Sequence, residues 1–417
     1  MSATYVKSVF VNDPNSPFHK KKVNLLLSKA GVAVNPKNLP KRHTVVDEKG
    51  LCVSPGWVDI GAAIGEPGNE QRETVASLQR AAQRGGFTDV MVLPEGEPAI
   101  DTRSGVEGLL ARANYEGPRI HVIGAISKGK MGVELAELGD MSKSGVTMFS
   151  DGLEPIEDAK LLQVSLDYAK PLSSTLVVQP CDRRLALHGQ VHEGVTSTVL
   201  GIPGFPALSE EVGLARDLAI LKNRGGRLHV QAASLATTIK ACDALKKKAN
   251  LSYGVPVLNL LLTDEATNQY DVNTKVLPPL RPEKDRKALV KAIVDRRADA
   301  LISNHHPHEA EAKRVEFPYA AFGAATIEIA FGMATSAVGD AHLVAEYFGI
   351  KNRRLAHLPQ MTIQDGEKAE LTFYLPQHKF EAPQICAHSL GSNAAVQGKS
   401  LVGRPFALFC REAWELC

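Results

Sequence analysis

Short, β-branched apolar runs alternate along this chain with amphipathic stretches of helical length. The runs are Val53–Ile60, Thr88–Leu93, Ile120–Ile126, Val146–Phe149, Thr175–Gln179, Leu228–Gln231, Ser252–Val257 and Ala298–Ile302. Between the first two, Arg72–Arg84 carries Val75, Leu78 and Ala82 on one helical face, and Gly85-Gly86 follows where a helix C-cap needs positive φ. Similar spacing predicts helices over Ile156–Ala169, Ser209–Lys222, Leu235–Lys247, Pro282–Arg296 and Ala324–Ala337. Eight strands, each leading into a helix, make an α/β fold of the closed (β/α)8 TIM-barrel type, with the loops after the strands forming the functional face.

The two ends break this rhythm. Val23–Leu27 and Ala369–Leu375 are strand-like pieces set between Pro, Gly and charged turns, without helical periodicity. The pattern therefore divides the chain into 1–54 and 360–417, which together supply one small β module, and a barrel over 55–359. The basic runs His19–Lys22 and Lys246–Lys248 read as solvated faces.

With 417 residues, 44% hydrophobic and 23% charged, the chain has ample material for a large core, and a formal net charge of +2 gives no field favouring nucleic acid or an anionic membrane. The opening MSATYVKSVFVNDPNSPFHKKK lacks the apolar core of a signal peptide, and no later run approaches the ~18 apolar residues of a membrane span, which predicts a cytoplasmic protein. Cys52, Cys181, Cys242, Cys386, Cys410 and Cys417 stand singly, so buried free thiols are expected rather than disulfides or a zinc knuckle.

From Pro55, the segment PGWVDIGAAIGEPGNEQRETVASLQRAAQRGGFTDVMVLPEGEP resembles the opening of the type I dihydroorotases of the amidohydrolase superfamily. The likeness continues in FSDGLEP (Phe149–Pro155), CDRRLALHGQVHEG (Cys181–Gly194), LGIPGFPALSEEVGLARD (Leu200–Asp217), LLLTDE (Leu260–Glu265), VLPPLR (Val276–Arg281) and NHHPHEAEAKRVEFPYAAFG (Asn304–Gly323). DGEKAELTFY and SLVGRP extend it to the C-terminal region. The resemblance implies a metal-dependent barrel with a composite β module, hydrolysing a cyclic amide through a metal-activated water.

Yet the residues that the family uses are replaced. Its first strand ends in a His-x-His pair, matched here by Gly61 and Ala63, and Gly65 stands where the resemblance implies an arginine for the substrate carboxylate. Its strand-five histidine is matched by Gln179, and its strand-six histidine by Ala232 with Gln231 beside it. Its strand-eight aspartate, ligand and general base, becomes Asn304, which cannot take up a proton at neutral pH. Of paired aspartates after strand four only Asp151 remains, followed by Gly152.

Substrate contacts differ as well. Pro94-Glu95-Gly96 replaces a Pro-Asn-Thr loop, so Glu95 is expected to repel an anionic substrate, and Leu277 replaces an asparagine. His308, Phe322 and Gly323 still match substrate-facing positions. His305, His306 and His308 form a local cluster, but three ligands on one short loop seldom reach tetrahedral geometry alone. Asp59, Asp182 and His192 read as anchors, and His229 as a satisfied core histidine.

What is kept builds the barrel; what is lost binds metal and substrate. The expectation is a pseudoenzyme of pyrimidine biosynthesis without zinc or catalytic residues, its pocket outlined by Asp151, His308, Phe322, Gly323, Glu95 and Leu277. Family resemblance implies a homo-oligomer or a complex with aspartate transcarbamoylase. The alternative is an active cyclic-amide hydrolase working through a reshaped site at Asp151, His305, His306 and His308.

Overall fold

A computed structural model of the chain describes residues 3–114, 116–383, 386–391 and 393–417. The barrel is made by Trp57–Ala62, Phe87–Val92, Arg119–Val122, Met148–Ser150, Thr175–Val178, Arg227–Val230, Asn250–Pro256 and Ala300–Ile302. Neighbours pair in parallel and in chain order, the first three strands as one ladder and the last five as another.

Two seams close the ring. Ser150 donates to the Gly124 carbonyl at 2.8 Å between strands three and four, and Ala63 donates to the His305 carbonyl at 2.7 Å between strands one and eight. Asp59 reinforces the second seam by accepting from the Ser303 backbone at 2.8 Å and its hydroxyl at 2.5 Å. Alternation does the rest: Val58, Ile60, Met91, Met148, Val177 and Ile302 fill the interior, while Trp57, Val90, Val92, Val178 and Leu301 face the surrounding helices.

Several boundaries differ from the sequence expectation. Val53–Ile60 is two strands, Cys52–Pro55 and Trp57–Ala62, so the break falls at Gly56. A Cβ there would lie 2.4 Å from Thr88 Oγ1, and the Gly56 amide is held by the Glu370 carbonyl at 2.8 Å. The helix Val75–Arg84 is capped by Thr74, but its C-cap Gly85 is right-handed and the positive φ falls on Gly86. The helix expected from Ala324 starts later, as a 3-10 turn Ile327–Ile329 leading into Ala330–Val338.

The β module draws on both ends of the chain. Ala3–Val11 pairs with Lys22–Ser28 and His43–Val46, and through Cys52–Pro55 the sheet continues antiparallel into Leu371–Glu381 and Ser400–Cys410. Its own core contains Val6, Val9, Leu25, Val53, Phe373 and Phe409. Trp57 joins module to barrel, its ring 4.5 Å from that of Phe331 and 5.7 Å from that of Tyr374. Below it, Arg353 Nη2 bonds the Gly56 carbonyl at 3.0 Å and Asp89 at 2.6 Å, fully buried. Among the described residues no helix is long and apolar enough to cross a membrane.

Candidate functional site at the barrel mouth

In an active barrel of this type, chemistry sits where the strands end. At the end of strand one the chain bulges: the register shifts between Ile60 and Ala62, and Gly61 takes φ 88°, a conformation that strains any side chain. Gln231, at the end of strand six, reaches across and donates from Nε2 to the Ile60 carbonyl at 2.9 Å. Its amide fills the space above Gly61, with Nε2 only 1.9 Å from where a Cβ at Gly61 would stand. Ala63, fully buried, spends its amide on the His305 carbonyl.

Gln179 stands beside Gln231, because parallel pairing of strands five and six continues through the Gln231 amide to the Val178 carbonyl at 2.9 Å. Gln179 donates to the Ala232 carbonyl, and both glutamines leave their Oε1 without a partner among the described residues. Ala232 itself packs in the barrel interior. Asn304, at φ 52°, points its Nδ2 to the Leu277 carbonyl at 3.0 Å.

The surviving acids are used by the fold. Asp151 accepts from the backbones of Ile126 at 2.8 Å and Ser127 at 3.0 Å, and from the Ser127 hydroxyl, so both oxygens are committed. Burial raises its pKa. Asp59 is likewise raised by burial and bound to Ser303. Asp182 caps a turn at Leu185, and His192 Nδ1 faces Arg281 at 3.0 Å.

The three histidines diverge. His305 accepts from Thr326 on Nδ1 at 3.0 Å and turns Nε2 toward Glu73. His308 engages the Phe322 carbonyl through Nε2 at 2.8 Å. Gly323 follows, where a Cβ would lie 2.4 Å from the His306 carbonyl. Burial, and then the Arg72 charge, lowers the pKa of His308 to about 4 and that of His306 far below the ordinary value. His229 is satisfied on one side only: Nδ1 meets Ser252 at 2.8 Å, while Nε2 has no partner among the described residues.

Two features escape the sequence. Glu95 does not stand alone: Lys130 pairs with its Oε2 at 2.9 Å, because the turn Lys128–Lys130 brings the ammonium over the strand-two loop, while Oε1 has no partner among the described residues. Also, an arginine does remain near position 65. The Arg72 Cβ lies 3.0 Å from where a Cβ at Gly65 would be, and its charge is felt by His306 and His308. Neither link has a signal in local spacing, since residues 95 and 130 meet only in the fold.

The donor set does not fit the zinc that the resemblance implies. Amides present an N–H and a neutral oxygen, and Asp151 and Asp59 already accept hydrogen bonds on both of their oxygens. Among the described residues no three His, Cys, Asp or Glu side chains are grouped to hold a metal ion.

Comparison with known proteins agrees with the architecture. A family model described as "Dihydro-orotase-like" matches residues 50–237. The chain is 33% identical over 387 residues to a dihydroorotase of Pelotomaculum thermopropionicum, covering 91% of this chain and 90% of that protein. It is 35% identical over 378 residues to one of Anaeromyxobacter dehalogenans, covering 88% and 86%. Among solved structures, the L-hydantoinase of Arthrobacter aurescens superposes with a TM-score of 0.84 at 18% identity, over 99% of this chain and 96% of that one. The D-hydantoinase of a Thermus species gives 0.81 at 18%, over 99% and 94%, and both show the shared fold. A TIM barrel with these relatives along its length belongs to the dihydroorotase-like family of the amidohydrolase superfamily.

Proposed function

We propose that this chain is a non-catalytic dihydroorotase-like protein that serves pyrimidine biosynthesis through assembly rather than hydrolysis. The observation that carries this reading is the Gln231 amide seated over Gly61, which fills with a hydrogen-bonded neutral group the space that a ligand side chain would need. Without a metal there is no activated water, and Asn304 supplies no base. The relatives named dihydroorotase support the pathway.

A complete fold kept without its chemistry is best explained by a retained surface. The partner we propose is aspartate transcarbamoylase or a second copy of this chain, through an interface burying more than ~1,000 Å².

Metal analysis of the purified protein with a dihydroorotate hydrolysis assay, with and without added zinc, tests the first part. No turnover and no stoichiometric metal are expected. Turnover of dihydroorotate or another cyclic amide would instead favour the reshaped hydrolase. Co-purification from the native cell tests the second part: a monomer without a pyrimidine-pathway partner would remove the assembly role.

A further inference from the structure

A cavity of about 480 Å³ opens at the barrel mouth between the loops after strands four and five and the Leu277-Pro278 turn. Ligand pockets commonly span ~300–1,000 Å³, with apolar walls and few polar groups. Here the walls are largely apolar, with Leu153, Pro180, Phe205, Leu277, Pro278 and Phe322 among them.

The charges along it are already paired. Arg183 meets Glu154, and Glu210 is bound by Arg281 at 3.1 Å and by Thr238 at 2.6 Å. Arg183, the one lysine or arginine among the lining residues, is thereby engaged by a carboxylate. Among the buried polar groups of the lining, Gln179 is 7% exposed and its Oε1 has no partner among the described residues, while His188, also in the lining, stands exposed. An orphaned buried acceptor is costly to the fold, and a ligand donor recovers that cost on binding. At the rim, Leu187 is 67% exposed, so apolar surface stands ready to be covered.

We propose that this cavity binds an uncharged, largely apolar ligand that donates an N–H or O–H to Gln179 Oε1. Such a ligand differs in class from a dihydroorotate-like anion. The inference stands on the cavity alone and does not depend on whether the barrel is catalytic.

A matched set of probes separates the requirements: naphthalene-2-carboxamide supplies ring and donor, methyl 2-naphthoate the ring without a donor, and 2-naphthoate the ring with a negative charge. Titration of the full chain, followed by calorimetry or ligand-observed magnetic resonance, is expected to rank amide over ester over acid, with the acid at least tenfold weaker than the amide. Gln179→Leu should abolish the preference for amide over ester while the ester still binds, and thermal unfolding checks that the variant folds. Leu187→Asp, on the exposed rim, should weaken the amide several-fold. The proposal is overturned if the acid binds as well as the amide, if none of the three binds up to its solubility, or if folded Gln179→Leu keeps the amide preference.

Discussion

The side chain of Gln231 stands where a side chain at Gly61 would have to be. Its Nε2 lies 1.9 Å from the position of a Cβ there and donates to the Ile60 carbonyl at 2.9 Å. Strand six is thereby tied to strand one across the barrel mouth, and the glycine is a requirement of that tie.

Returning histidines to positions 61 and 63 should therefore fail. Gly61→His places a β-substituent at φ 88° and displaces a buried hydrogen bond. The first effect costs about 1–3 kcal/mol and the second about as much again. Denaturant unfolding of Gly61→His/Ala63→His is expected to show a loss of about 2–5 kcal/mol, and metal analysis no stoichiometric zinc. Stoichiometric uptake would show that the mouth can still assemble a ligand set.

The coupling of the two residues is measurable separately. Gly61→Ala should be less damaging in a Gln231→Ala background, where the amide is gone, than in the parent, with an interaction term of about 0.5–2 kcal/mol from a double-mutant cycle. Strict additivity would dissociate the pair.

Acid should weaken the fold through histidines held neutral by burial. His308 sits at about 4 against an ordinary 6.5, and His229 at about 3. Their folded values lie below the unfolded one, so the unfolded chain takes up more protons as the pH drops. Stability present above 6.5 is lost as pH falls toward about 4, and for His308 the gap corresponds to at most about 3 kcal/mol. His308→Gln can keep a donor to the Phe322 carbonyl and removes the titration. Unfolding at pH 7 and pH 4.5 should show a smaller acid loss in the variant than in the parent.

Arg353 and Asp89, 2.6 Å apart and both almost fully buried, predict a large penalty for breaking one side. Arg353→Met takes the buried charge partner from Asp89, leaving it the Thr88 hydroxyl at 2.8 Å, the His121 contact at 2.9 Å and a longer one to Arg119, and it also strands the Gly56 carbonyl and the Thr88 oxygen. A loss of about 3–5 kcal/mol is expected. The double variant with Asp89→Asn should lose less than the sum of the two single changes.

Neutralising the strand-two loop should not restore chemistry. Glu95→Gln frees Lys130 and makes the mouth more positive, but the assay for dihydroorotate hydrolysis is expected to stay at background, because Asn304, Gln179 and Gln231 still offer neither base nor ligand. Measurable turnover would show that charge, rather than the missing donors, had silenced the site.

The barrel was legible because its strands alternate between an interior set and a helix-facing set, so Val177 and Val178, or Leu301 and Ile302, announce themselves by apolarity and by spacing. The break at Gly56 was not, since strands on both sides of it are buried and the run reads as continuous. That Gly61 and Ala63 carry no donor atoms and Asn304 no base could be read from the residues alone. What fills their place could not: Gln231 meets Ile60 across 171 positions, and Glu95 meets Lys130 across 35, contacts set by ring closure rather than by local pattern.

The composite sheet has a consequence for how the protein is made. Cys52–Pro55 lies between Ala3–Val11 and Leu371–Glu381, so a central strand emerges from the ribosome more than three hundred residues before its second neighbour. At ~5–20 residues per second that interval is roughly 20–60 s, during which one edge of the sheet has no partner. Nascent chains therefore pass through a stage with an open, apolar strand edge, and Leu371–Glu381 acts as the clasp that shuts it.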